Sequence, residues 1–203
     1  MINKSFCIAY LLIIILFSGC KKDKMIDFDF TPLEFHFVNP DDIDYIASFG
    51  YPDWSGPGSP HNGIDLRIPM DIEKSVIISP TNGTVKRITS DKIGVGVEIQ
   101  INDEYTVMVG FEPGDTSEYL QPQIEAIKVV TGQVVHTGDT LGDLLVGRLG
   151  YPHIHLLLNI NRRNYCPYDY SSILAKSIYD RIVENREANL YCGEICCEES
   201  VAQ

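Results

Sequence analysis

Positive charge is scarce in this chain. Its 203 residues carry 16 Lys and Arg against 28 Asp and Glu, which gives a formal net charge of −12. A nucleic-acid partner requires clustered basic groups that neutralise phosphates, so this composition argues against one. Internal repeats and low-complexity segments are lacking as well, and an apolar content of 44% argues against global disorder. The length suits one domain with appendages.

Long apolar runs are also scarce, and one stands out near the N-terminus. Residues 7–17 are unbroken apolar, too short for a comfortable membrane span but suited to a signal peptide. The run ends in Phe17-Ser18-Gly19-Cys20, which resembles a bacterial lipobox, although Phe17 replaces the usual aliphatic residue. The resemblance implies cleavage after residue 19 and lipidation of Cys20, followed by a tether over residues 20–37. An ordinary secretory signal is the alternative, and both predict an extracytoplasmic protein; lipidation makes it a membrane-anchored lipoprotein.

The chain has few cysteines, and they fall into separate groups along the sequence. Cys7 lies in the signal segment and Cys20 would carry lipid, which leaves four thiols in an oxidising compartment. Such a set predicts two disulfides with three pairings open, and a direct bond between neighbouring tail cysteines would be strained. We expect one bond from residue 166 to the tail cluster. A second zinc site is the alternative, but the spacing is unusual for one. The four disulfide candidates are Cys166, Cys192, Cys196 and Cys197.

Alternation of apolar and polar residues predicts a mainly β chain. Ile64, Leu66 and Ile68 would share one face of a strand, with Asp65 and Arg67 on the other. Turn residues separate further predicted strands, which points to an antiparallel β-sandwich or barrel-like sheet. These strands cover residues 75–78, 83–88, 97–101, 105–111, 126–130, 140–146 and 155–160.

The two ends of the mature chain have other patterns. Residues 33–37 alternate like a first strand, and we expect His36 to lie at the surface. Apolar residues at positions 174, 178 and 182 predict an amphipathic helix over residues 171–186 that packs on the sheet. We therefore expect a domain over residues 38–168, followed by a helix and Cys-rich tail over residues 169–203.

Two short polar motifs carry the candidate chemistry. His153 and His155 are two residues apart at the start of an apolar run, so on a strand they point to the same side. His61 and Asp65 stand at the junction of a loop and the strand that begins near residue 64. Imidazole and carboxylate are both good zinc ligands, and a set of two histidines and one aspartate leaves a coordination position for water.

Four sequence blocks in order resemble one known family. They are His61-Asn62-Gly63-Ile64-Asp65, the segments at residues 79–85 and 132–142, and His153-Ile154-His155. Together they are similar to a lysostaphin-type (LytM-type) zinc endopeptidase domain with the duplicated hybrid motif fold. The resemblance implies one Zn2+ per chain held by His61, Asp65 and His155, with His153 as the active-site histidine. It also implies cleavage of peptidoglycan peptides.

One position departs from the family pattern. The family has a second active-site histidine at the end of a strand, where this chain has Phe111. Loss of such a group typically costs a factor of about a hundred to a thousand. Three other residues are candidates to replace the missing histidine, and the sequence does not choose among them. His136 is expected at a surface turn, and Tyr151 lies two residues before His153. Glu112 would point to the opposite side of the strand from Phe111. A core position for Phe111 in a shifted register is the other interpretation.

Two functions therefore stay open. The first is a lipid-anchored zinc metalloendopeptidase that hydrolyses peptidoglycan peptides, with activity reduced by the missing histidine. The second is a degenerate, peptidase-like module that binds the cell wall or regulates another protein. The retained ligand residues favour the enzyme, and the replaced histidine favours the module.

Overall fold

The computed structural model describes residues 27–54, 56–114, 116–147 and 150–197. Over these ranges the chain forms eleven β-strands, two α-helices and a short 3-10 turn at Pro40–Asp42. The strands are β1 Tyr45–Ala47, β2 Ile64–Arg67, β3 Lys74–Ile78, β4 Gly83–Ser90, β5 Val95–Gln100, β6 Tyr105–Glu112, β7 Val134–Val135, β8 Thr140–Leu145, β9 His153–Ile160, β10 Arg163–Tyr165 and β11 Glu187–Asn189. The helices are α1 Thr116–Ala126 and α2 Ile173–Asn185.

One large sheet contains nine of the described strands. Its order is β11-β1-β2-β9-β6-β5-β4-β7, and β10 pairs with the second half of β9. Neighbours in this sheet run antiparallel except β1 and β11, which run parallel. The prediction of a mainly β, antiparallel structure is therefore confirmed. The sheet is open, so the structure is not a closed barrel.

Strand β9 lies at the centre of this sheet, between β2 and β6. Its side chains alternate as the sequence predicts: Ile154, Leu156 and Leu158 are fully buried, while His153 and His155 lie on the other side. The buried side joins apolar residues of β2 and β6 in one hydrophobic core. The polar side of β9 is thereby left to the candidate site.

The predicted strand at residues 126–130 is wrong. Helix α1 occupies residues up to Ala126, and Ile127 makes only an isolated bridge to Gly142 of β8. The buried side chain of Gln123 donates to the carbonyl oxygen of Asp143 and accepts from the amide of Leu145, at 2.9 and 3.0 Å. These bonds fix α1 against the small sheet that β3 and β8 form.

Helix α2 forms where the amphipathic pattern predicts a helix. Ser172 caps its N-terminus by accepting from the amide of Ala175, and Ala175, Tyr179 and Ile182 bury one side of the helix. Neither helix in the described part of the chain is long and apolar enough to span a membrane.

Two disulfides connect the C-terminal tail. Cys166 bonds to Cys196, which matches the expected link from residue 166, and Cys192 bonds to Cys197. All four candidate thiols are therefore oxidised, so the alternative of a thiolate zinc site in the tail is not supported.

The first described residues differ from the expectation of a tether. Leu33, Phe35 and Phe37 are buried in the common core, which therefore begins before residue 38. His36 is also fully buried, so its predicted surface position is wrong. The predicted domain limits at residues 38 and 168 stay a prediction. The signal peptide and Cys20 lie outside the described residues.

Candidate metal centre

Strand pairing brings the predicted ligands together. Asp65 of β2 lies directly opposite His155 of β9, which in turn lies opposite Gly110 of β6. Residues directly opposite one another in a sheet point to the same side. His61 precedes β2 and enters from the loop, whose path is fixed by backbone hydrogen bonds between Gly50 and His61 and between His61 and Tyr51.

The ligand atoms converge on one point. His61 Nε2 is 3.1 Å from Asp65 Oδ1, Asp65 Oδ1 is 2.7 Å from His155 Nδ1, and the two histidine nitrogens are 3.3 Å apart. Zinc–nitrogen bonds of about 2.0–2.1 Å in a tetrahedron place neighbouring ligand atoms about 3.3 Å apart. The three atoms thus have the number, type and approximate spacing of a zinc site with one position left for water.

The ring of His61 is oriented for coordination. Its Nδ1 lies 2.6 Å from the carbonyl oxygen of Ser48, which can only accept a hydrogen bond, so Nδ1 carries the proton. In the neutral ring the Nε2 lone pair then points at Asp65 and His155. A nitrogen lone pair that faces a carboxylate oxygen is unfavourable unless a cation lies between them, so the residues present fit a metal ion.

Gly63 makes room for the His155 ring. A Cβ atom at position 63 would stand 2.6 Å from both Cε1 and Nε2 of His155, and 2.6 Å from the carbonyl oxygen of Leu156. The glycine of the His61–Asp65 block is therefore required by close packing of the loop against β9.

Two ionisable groups of the cluster have strongly shifted pKa values. Burial by itself would raise the pKa of Asp65, but the contacts of its carboxylate with His155 and His61 and the charge of His153 hold it far below its ordinary value. Burial would likewise lower the pKa of His153, yet a hydrogen bond to Glu112 and the charges of Asp65 and Glu112 raise it to about 9. The cluster therefore favours an anionic carboxylate at Asp65 beside a cationic imidazole at His153.

The active-site position expected for Phe111 is wrong. Phe111 pairs with Ile154 and is fully buried on the core side of β6. Glu112 pairs with His153 instead, and its Oε2 lies 3.2 Å from His153 Nε2. Glu112 points to the opposite side of β6 from Phe111, as expected, and that side faces the candidate centre, so the register places a carboxylate there rather than an aromatic ring.

Other residues considered from sequence lie away from the cluster. His136 is exposed, and its backbone amide donates to Asp139 in a turn. The ring of Tyr151 is 70% exposed and lies 5.5 Å from the guanidinium of Arg67, whereas its carbonyl oxygen lies 2.7 Å from His153 Nδ1. The contribution of Tyr151 to the site is therefore from its backbone.

Trp54 is a neighbour of the centre that sequence reasoning did not identify. Its indole stacks on the His61 ring with centroids 4.5 Å apart and an angle of 27°. Tyr51 contacts Trp54 edge-on and also lies 5.3 Å from the tail residue Tyr191. An aromatic group therefore covers the outer side of a candidate ligand, and a single tryptophan in a Gly- and Pro-rich loop gives no pattern that would predict it.

Comparisons with known proteins identify the fold. No protein-family model and no curated protein matches the chain. A chain of the SpoIIQ–SpoIIIAH pore-forming complex superimposes with a TM-score of 0.52 and 16% identity, over 74% of this chain and 98% of that chain. A zinc-containing peptidase from Vibrio cholerae gives a TM-score of 0.46 and 22% identity, over 70% of this chain and 39% of its own length.

A further match is a variant catalytic domain of the prophage-encoded M23 protein EnpA from Enterococcus faecalis. Its TM-score is 0.41 at 24% identity, over 57% of this chain and 82% of that domain. The structural neighbours thus include M23 (LytM-type) peptidases, and the resemblance stated from sequence is confirmed at the level of the fold. Identities of this size show the fold alone.

Proposed function

We propose that this protein is a zinc metalloendopeptidase that hydrolyses peptide bonds of peptidoglycan. One observation carries the proposal: His61 Nε2, Asp65 Oδ1 and His155 Nδ1 lie within 2.7–3.3 Å of one another. The substrate class rests on the four-block resemblance to LytM-type domains.

Each residue of the candidate centre would have a distinct role in hydrolysis. His61, Asp65 and His155 would hold one Zn2+, which polarises a scissile carbonyl and activates water when it is bound. His153, whose Nε2 lies 3.6 Å from Asp65 Oδ2, stands beside the ligand set, where its positive charge would stabilise the negative charge that develops on the carbonyl oxygen. The Ser48 carbonyl would keep the His61 ring in its coordinating orientation.

The test measures metal and digestion on the same samples. The soluble domain, loaded with Zn2+ and desalted, should contain about one zinc per chain and release soluble peptides from purified sacculi. His61→Ala, Asp65→Ala and His155→Ala should each lose tight zinc binding, whereas His153→Ala should retain zinc and digest sacculi much more slowly. His136→Ala is the matched control, because that imidazole is exposed and outside the cluster. Wild-type protein that stays free of zinc would contradict the proposal.

We place the protein outside the cytoplasm, anchored by lipid on Cys20. The two disulfides support an oxidising compartment. The lipobox-like junction at residues 17–20 supports the anchor. Cys20→Ser should abolish incorporation of labelled fatty acid and shift the protein from the membrane fraction to the soluble one. Unchanged fractionation and processing of that variant would refute the anchor.

A non-catalytic, cell-wall-binding or regulatory module is the second candidate. It is favoured by the superposition on a chain of the SpoIIQ–SpoIIIAH pore-forming complex and by the lack of a second histidine at the end of β6. Zinc-loaded protein that co-sediments with sacculi but releases no peptide would favour this candidate over the enzyme.

A further inference from the structure

The end of strand β6 brings a second polar group to the candidate centre. Arg67, His153 and Glu112 form one row across β2, β9 and β6, next to the row of Asp65, His155 and Gly110. Glu112 and His153 each have side chains that are 20% exposed, so the pair is mostly withdrawn from water. Hydrogen bonds at such partly buried positions are stronger than at exposed ones.

The His153 ring is held at both ends by acceptors. Its Nδ1 lies 2.7 Å from the Tyr151 carbonyl oxygen, and its Nε2 lies 3.2 Å from Glu112 Oε2. Two contacts at opposite ends of an imidazole restrict the plane of the ring more tightly than one contact does. Glu112 therefore determines where His153 Nε2 points relative to Asp65.

The backbone of Glu112 is itself tightly placed. A Cβ atom on Gly94, just before β5, would come within 3.1 Å of the Glu112 Cα and would overlap the Phe111 carbonyl oxygen. The turn that contains Gly94 is fixed by Asp91, whose side chain accepts from the amide of Ile93 at 2.8 Å. The backbone at Gly94 therefore packs so closely against the end of β6 that a side chain at position 94 would not fit.

We propose that Glu112 is a positioning residue for His153: its carboxylate holds the imidazole beside the candidate metal centre in the geometry that peptide hydrolysis requires. The proposal rests on the proposed function for its catalytic consequence. The alternative is an ion pair that serves stability alone. If Glu112 positions His153, the change in kcat on removing Glu112 depends on the presence of His153. If the ion pair serves stability alone, that change does not depend on His153.

The activity test is a double-mutant cycle on zinc-loaded protein. Glu112→Ala should lower kcat by about 10- to 100-fold with little change in KM, less than the full loss of a proton-transfer group. In a His153→Ala background the same change should alter kcat less than about 2-fold, because its target is gone. Glu112→Gln keeps an acceptor of the same length and should retain more activity than Glu112→Ala.

Two controls separate positioning from folding. Glu104→Gln removes an exposed carboxylate just before the same strand and should leave kcat unchanged. The zinc Kd of Glu112→Ala should stay within about threefold of wild type, because Glu112 does not contact the three ligand residues in the described contacts. A loss in kcat that is equal in both backgrounds, or no loss at all, would overturn the proposal.

A measurement without substrate distinguishes this inference from the proposed function. In 15N-labelled, zinc-loaded protein, Glu112→Ala should change the chemical shift of His153 Nε2, which contacts Glu112, more than that of Nδ1, which contacts the Tyr151 carbonyl oxygen. If wild type digests nothing yet these signals behave as expected, the peptidase proposal fails and the positioning of His153 stands. If the Nε2 shift is unaffected by Glu112→Ala, the inference fails whatever the activity.

Discussion

His36 is a fully buried imidazole with neither ring nitrogen hydrogen-bonded to any described residue. Its ring packs beside Phe35 and Phe37, with centroids 5.5 and 5.1 Å away. Burial lowers the pKa of His36 from 6.5 to about 3, because the imidazolium would lose its hydration without gaining a partner. We predict that His36→Phe makes the fold less sensitive to acid.

The magnitude follows from the two pKa values of His36. The unfolded chain binds a proton at this position near pH 6.5, whereas the folded chain binds it only near pH 3. Protons therefore favour the unfolded state as the pH falls, at about 1.4 kcal/mol per pH unit. Between those two pH values the wild type loses about 5 kcal/mol of unfolding free energy through this group, and about 2 kcal/mol of it is lost by pH 5.

The assay is urea unfolding of wild type and His36→Phe at pH 7.5 and pH 5. The pH-dependent loss should be about 2 kcal/mol smaller in the variant, because the remaining histidines titrate in both proteins and cancel in the difference. At pH 7.5 the variant should also be more stable, by about 1–3 kcal/mol, since two unpaired polar atoms leave the core. Exposed His136→Gln is the control. Equal pH dependence in wild type and His36→Phe would refute the reasoning.

Three further changes test other parts of the structure. Gly63→Ala should weaken zinc binding about 10- to 100-fold by displacing the His155 ring. Chelator competition measures the affinity, with Asn62→Ala as the control, and unchanged affinity in Gly63→Ala would contradict the packing argument. Replacing Cys166 and Cys196 by Ser should lower the unfolding free energy by about 3.5 kcal/mol on the chain-entropy model, because the bond closes a separation of 30 residues; a change under about 1 kcal/mol would argue against that model here. Phe111→His should destabilise the fold by about 3–5 kcal/mol without raising sacculus digestion, since this ring lies in the core; higher digestion with unchanged melting temperature would contradict the register.

The sequence predicted much of the site because local patterns carry it. Residues two apart on a strand share a side, so Ile64 and Leu66 against Asp65, and His153 with His155, could be assigned from alternation alone. The helix near the C-terminus followed from its apolar period, and a disulfide from Cys166 to the tail followed from the count of remaining cysteines.

Features without a local pattern were missed. Helix α1 contains Pro122 and buries the polar Gln123, so neither periodicity nor composition indicates it, and its stability comes from hydrogen bonds to β8. His36 carries no mark of burial, because a histidine between two phenylalanines suits either a surface strand or a core. Only the packing of distant segments distinguishes these cases.

The sequence by itself determined the composition of the candidate centre: His61, Asp65, His153 and His155, with a glycine where the loop meets β9. Tertiary structure decided which residue of β6 joins them. A shift of one residue in the pairing of β6 with β9 turns every side chain of the strand to the other side, so the same local sequence could have presented Phe111 or Glu112 to the centre. That register is set by the ladder between two strands about forty residues apart and by the core beneath them, which no local pattern contains.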